Sequence, residues 1–115
     1  MSELLLNSKL WDHLTEDERN QILTTLRKVG AIRAEDTISS SKDAPIRDIR
    51  AVRANLESVR ANTEKGVQPT ACQVACGTAA GGALGACSLL DPLLVEQCLA
   101  AAEMGYEACM AYCDE

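Results

Sequence analysis

The residues with the clearest chemistry are six cysteines, Cys72, Cys76, Cys87, Cys98, Cys109 and Cys113, all in the last 44 residues of a 115-residue chain. The gaps between them are three, ten, ten, ten and three residues, so the spacing reads the same from either end. Sulfur in such numbers serves covalent stapling or thiolate coordination of a metal. A palindrome of spacings is what two equal helices running in opposite directions show when every rung joins one cysteine from each arm. At about 100° per residue, Cys72, Cys76 and Cys87 fall within about 60° on one helix, and Cys98, Cys109 and Cys113 do the same on the next. The nested pairs Cys72–Cys113, Cys76–Cys109 and Cys87–Cys98 then form together with little shear. Of the connectivities open to six cysteines, the spacing favours this one.

Two other readings of the same residues stay open. Cys72 with Cys76 and Cys109 with Cys113 are i,i+4 pairs, and their four thiolates would meet at the open end of the two arms, where they suit zinc, copper(I) or an iron–sulfur cluster. That arrangement leaves Cys87 and Cys98 without a role. Buried, inert thiols are the third reading, since free cysteine packs as a small apolar residue. A thiol redox enzyme is disfavoured because no two-residue spacer or basic neighbour activates a thiolate. Thioether rings do not account for the set either, because only Thr70, Thr78 and Ser88 follow residue 69 as hydroxyl partners. With His13 as the single histidine and no nucleotide-binding loop, the chain reads as a non-enzyme with no resident cofactor.

The elements that must position these sulfurs follow from their surroundings. Asp91-Pro92 lies at the midpoint of the cysteine pattern and is a good N-cap and first-turn pair for the second arm. A disulfide needs Cα atoms about 5.5–6 Å apart, whereas helix axes usually lie about 8–10 Å apart. The small residues Gly77, Ala79, Ala80, Gly81, Gly82, Ala83 and Gly85 on one arm, and Ala100, Ala101, Ala102, Gly105 and Ala108 on the other, read as the means of that approach.

The first half reads as short soluble helices. Leu4, Leu5, Leu6, Leu10, Trp11 and Leu14 fit the stripe of a first helix, and Thr15-Glu16-Asp17-Glu18 is a capping box opening a second. That helix carries Ile22, Leu23, Leu26 and Val29 at helical period and ends in Arg27, Lys28 and Gly30. Residues 35–43 read as a polar linker, after which Pro45 marks a helix start. Ile46, Ile49, Val52, Leu56 and Val59 form its apolar stripe, with Arg47, Arg50, Arg53, Glu57, Arg60 and Glu64 on the other faces. The run 65–70, with its Gly and Pro, is the expected boundary between a region 1–66 and a region 71–115.

Charge divides at the same place. Residues 1–70 hold all 11 Lys and Arg and an equal number of Asp and Glu, while 71–115 hold Asp91, Glu96, Glu103, Glu107, Asp114 and Glu115 without one basic residue. The formal charge of −6 therefore belongs to the second region, which argues against nucleic acid as a partner. Residues 71–90 carry no charge and reach the length of a membrane span. Their glycine and Ala content, and the Asp91-Pro92 that follows, argue against insertion. The N-terminus has neither a basic region nor a long apolar run, so no Sec-type signal peptide is expected and synthesis in the cytoplasm is.

From Cys72-Gln73-Val74-Ala75-Cys76 through Ala79-Ala80-Gly81-Gly82 to Ala86-Cys87, the chain resembles the cysteine-rich, microhalocin-type bacteriocins. That resemblance implies an antimicrobial peptide cut from a precursor, with the first half as pro-region or immunity partner. It also implies export of the C-terminal part by processing and export machinery, and a membrane or membrane protein as target. Six cysteines are fewer than that family leads one to expect. The expectation is an all-α chain: short N-terminal helices, then an antiparallel α-helical hairpin stapled by three nested disulfides. A cytosolic thiolate metal protein using Cys72, Cys76, Cys109 and Cys113, and a plain protein-interaction module, are the alternatives.

Overall fold

Capping chemistry sets most of the helix ends. The computed structural model describes residues 3–46, 48–66 and 70–114. In chain order they form β1 (Glu3–Asn7), α1 (Ser8–Trp11), α2 (Glu16–Lys28), β2 (Thr37–Ser41), α3 (Ile49–Glu64), α4 (Ala71–Ser88) and α5 (Pro92–Cys113). At α2 the Glu18 amide donates to Thr15 Oγ1 at 3.1 Å and the Thr15 amide to Glu18 Oε1 at 2.8 Å, closing the capping box. Its other end turns at Gly30, whose φ of +80° lets Ala31 N–H reach back to the Leu26 carbonyl. Asp91 caps α5 by accepting from the Leu93 amide at 2.9 Å, with Pro92 at the first helical position.

The chain is mostly helical but not all-α. Residues 3–7 and 37–41 pair as a two-stranded parallel sheet, Glu3 opposite Thr37 and Asn7 opposite Ser41, where a helix and a linker were expected. Leu4 and Leu6 are buried and Leu5 is 44% exposed, an alternation of period two that three consecutive leucines conceal. Asn7 prevents the run from continuing as one helix. Its Oδ1 accepts from the Lys9 amide to start α1, and its Nδ2 donates to the Ala44 carbonyl at 2.7 Å, tying β1 to the chain leaving β2. Parallel strands require a crossover, which α1 and α2 supply.

Helix α3 also starts later than Pro45 indicates. Asp48 is its cap, accepting from the Arg50 amide at 2.9 Å, and Ile46 lies ahead of it at 59% exposure. The buried stripe is thus Val52, Leu56 and Val59. Arg47, 67–69 and Glu115 lie outside the described residues, and with them part of the expected 65–70 boundary.

The core joins both halves of the chain. Leu4, Leu6, Trp11, Ile22, Leu26 and Leu56 from the first cluster with Leu84, Leu94 and Leu99 from the second. Every residue from Gln97 to Glu103 is buried, so this stretch of α5 is covered on all sides, its apolar run 98–102 flanked by the buried polar Gln97 and Glu103. It packs against α2, α3, α4 and β1.

Candidate functional site

The structure brings the six cysteines together as three bridges between α4 and α5. Cys72–Cys113, Cys76–Cys109 and Cys87–Cys98 have Cα separations of 5.7, 5.8 and 5.6 Å, each in the usual range for a disulfide. The pairs are nested, the first cysteine with the last. The loops they close differ: 41, 33 and 11 residues apart in sequence.

Their surroundings differ as well. Cys87 and Cys98 are each 0% exposed and belong to the core cluster, just before and after the turn that joins the two helices. At the far end, Cys76 is buried while Cys109 and Cys113 keep solvent contact. Here two bridges lie one helical turn apart, and the Cys76 and Cys113 sulfurs, which belong to different bridges, are 3.5 Å apart. The sulfurs of Cys72, Cys76 and Cys113 all lie within 4.8 Å of one another, and Cys109 is bonded to Cys76. A recess of about 290 Å³ between residues 30–33 and α5 opens on Cys109. Arg33 stands at its edge with its guanidinium 4.4 Å from the centre of the Tyr112 ring, placing a positive charge beside an otherwise acidic segment.

The glycines serve a purpose other than the one expected. A Cβ at Gly77 would collide with Thr63 Oγ1, one at Gly81 would lie 2.9 Å from the Arg60 side chain, and one at Gly82 3.6 Å from Val29. At Gly105 it would strike the Ala31 backbone carbonyl. All of these neighbours belong to the first half of the chain. Glycine removes bulk where α3 and the turn after α2 dock, and the disulfides hold α4 to α5 without a glycine in tight contact between the arms. A Gly-rich helix face does not say which neighbour uses it, and here the neighbour is the first half of the chain and not the opposite arm. Asn55 adds a polar tie, its Nδ2 donating at 3.2 Å to Oε2 of buried Glu103.

What this arrangement does chemically is cross-link two helices, stack two of the cross-links in reach of solvent, and seat the first half of the chain on the result. Among the described residues no helix is long and apolar enough to cross a membrane. No protein-family model matches the chain, no curated protein or solved structure matches it significantly, and nothing in those comparisons identifies a microhalocin-type bacteriocin.

Proposed function

We propose that the chain is a bacteriocin-like precursor in two parts. Residues 71–115 are the active element, an antiparallel α-helical hairpin whose six cysteines are structural, and residues 1–66 are its built-in cover, a pro-region or immunity partner. The observation that carries this reading is the fit of the first half into notches cut in the second: Thr63 at Gly77, Arg60 at Gly81 and the Ala31 carbonyl at Gly105. The nested order of the bridges supports the hairpin.

A stapled hairpin keeps its shape once separated, because its cross-links lie wholly within it. Separation uncovers Leu94 and Leu99 of α5, which the first half helps to bury, and an apolar face of that kind is what a membrane or membrane-protein target engages. The absence of any basic residue in 71–115 argues against lysis by cationic attraction to lipid and against nucleic acid. Cells making the protein supply the processing and export machinery.

Intact mass spectrometry of producing cells and their medium, before and after reduction, tests this. A secreted species starting between about residues 60 and 71 and gaining six hydrogens on reduction is expected. Only full-length chain in both fractions overturns the precursor reading and leaves an interaction module.

A further inference from the structure

We propose that the open end of the disulfide ladder is a redox-convertible metal centre: reduced, Cys72, Cys76, Cys109 and Cys113 bind one Zn²⁺ as a tetrahedral four-thiolate site, while Cys87–Cys98 remains oxidised. Such a centre requires neither cleavage nor export. It forms in the full chain under reducing conditions.

Three features of the site carry it. A zinc ion with four thiolates at about 2.3 Å places the sulfurs about 3.8 Å apart. Cys76 and Cys113 already stand at 3.5 Å, and with Cys72 they fit within 4.8 Å, so three of the four donors surround one point, and breaking Cys72–Cys113 lets that pair part to the spacing zinc requires. The fourth sulfur, Cys109, lies one turn before Cys113 on the same face of α5, and the recess beside Arg33 gives it room to swing off Cys76.

The second feature is the difference in access. Cys109 and Cys113 meet solvent, whereas both partners of Cys87–Cys98 are 0% exposed. A dithiol reductant therefore reaches the two outer bridges first. The third is preorganisation: with the inner bridge intact, α4 and α5 stay paired, and the four released thiols cannot drift apart as they would on a free chain.

The chemistry balances in two steps. Two equivalents of a dithiol reductant give up two electrons and two protons each, breaking Cys72–Cys113 and Cys76–Cys109 to four thiols while two reductant disulfides form. Zn²⁺ then displaces four protons, leaving a four-thiolate complex of charge −2. Arg33 lies on the Cys109 side of that charge.

The test uses the full chain, reduced with two equivalents of a dithiol, freed of reductant under anaerobic conditions and titrated with Co²⁺ and then Zn²⁺. Expected are the visible bands of tetrahedral cobalt thiolate saturating at one ion per chain and their loss on adding Zn²⁺. Native mass spectrometry is expected to show one zinc with Cys87–Cys98 still bridged. Helicity, followed by circular dichroism, is to survive reduction. The paired variant Cys87→Ser with Cys98→Ser, given the same treatment, is to weaken metal binding at least tenfold, and Cys109→Ser is to abolish the four-sulfur signature. Absence of stoichiometric binding by the reduced chain overturns the proposal, whether or not the helices persist. So does binding that remains four-sulfur in Cys109→Ser.

Discussion

The two ends of the ladder use one kind of bond in opposite settings. At the closed end, Cys87–Cys98 spans 11 residues inside the core with no solvent contact. At the open end, Cys76–Cys109 and Cys72–Cys113 stand one turn apart where solvent reaches. Stabilisation by a cross-link scales with the loop it newly closes, not with the sequence separation it spans. Once Cys76–Cys109 is formed, Cys72–Cys113 closes only the short turns between the two rungs, although its own separation is 41. The inner bridge closes an 11-residue loop of its own, so the two ends differ little in loop closure and chiefly in the burial of their sulfurs. The larger thermodynamic weight lies at the closed end because its sulfurs also fill the core, and chemical reactivity lies at the open end because solvent reaches it.

The largest test of that contrast removes each bridge as a pair. Cys87→Ala with Cys98→Ala is expected to lower the unfolding free energy by about 3 kcal/mol through the lost loop closure and by a further ~1–2 kcal/mol through the cavity left in the core, and Cys72→Ala with Cys113→Ala by about 2.5 kcal/mol through loop closure alone. Urea midpoints of the two variants, with the remaining bridges verified by mass, decide it. Equal losses break the comparison.

Gly105 sharpens it at the open end. It lies one turn before Cys109, and a methyl there meets the Ala31 carbonyl, a backbone atom that cannot rotate aside. Gly105→Ala is expected to cost about 1–3 kcal/mol through overpacking and to loosen the segment 30–33 from α5. Faster alkylation of Cys109 under mild reduction is the accompanying readout. Unchanged stability would remove Ala31 from its place against α5.

How much of this was readable in the residues follows the range of the forces involved. The capping box at Thr15, the glycine turn at Gly30 and the Asp91-Pro92 start are local, and each appears in the structure where its residue types put it. Residues 37–41 form a strand for a non-local reason. Thr-Ile-Ser-Ser-Ser has little apolar alternation, and it pairs because β1, 34 residues earlier, offers Leu4 and Leu6 to the core and its backbone to residues 37–41. The cysteine spacing was legible because helical period and nesting constrain it together. The partner of each glycine notch was not, since an absent side chain leaves no chemical signature of what fills the space.

A smaller effect comes from α2, whose Asp17, Asn20 and Thr24 line a surface recess with Leu90 beside the closed end. Thr15→Ala removes the side-chain acceptor of the capping box and is expected to cost about 1 kcal/mol. Because the cap is remote from the outer bridges, the rate at which dithiol reductant opens them should not change. Parallel changes in stability and in that rate would show the two ends to be coupled rather than distinct.

The smallest effect has the opposite sign and lies two residues before Cys87. A methyl at Gly85 meets nothing within 4 Å, unlike those at Gly77, Gly81 and Gly105. Within α4 a glycine costs about 0.5–1 kcal/mol relative to alanine, because its backbone has more freedom to lose on folding. Gly85→Ala is therefore expected to raise the unfolding free energy by about that amount, measured as an upward shift of the thermal midpoint with all three bridges intact. In the reduced chain the gain should persist if Cys87–Cys98 stays closed, since α4 then remains folded and the substitution acts on the same helix. A gain that vanishes on mild reduction would mean that opening the outer bridges unravels α4 as far as Gly85, and the closed end would lose its independence.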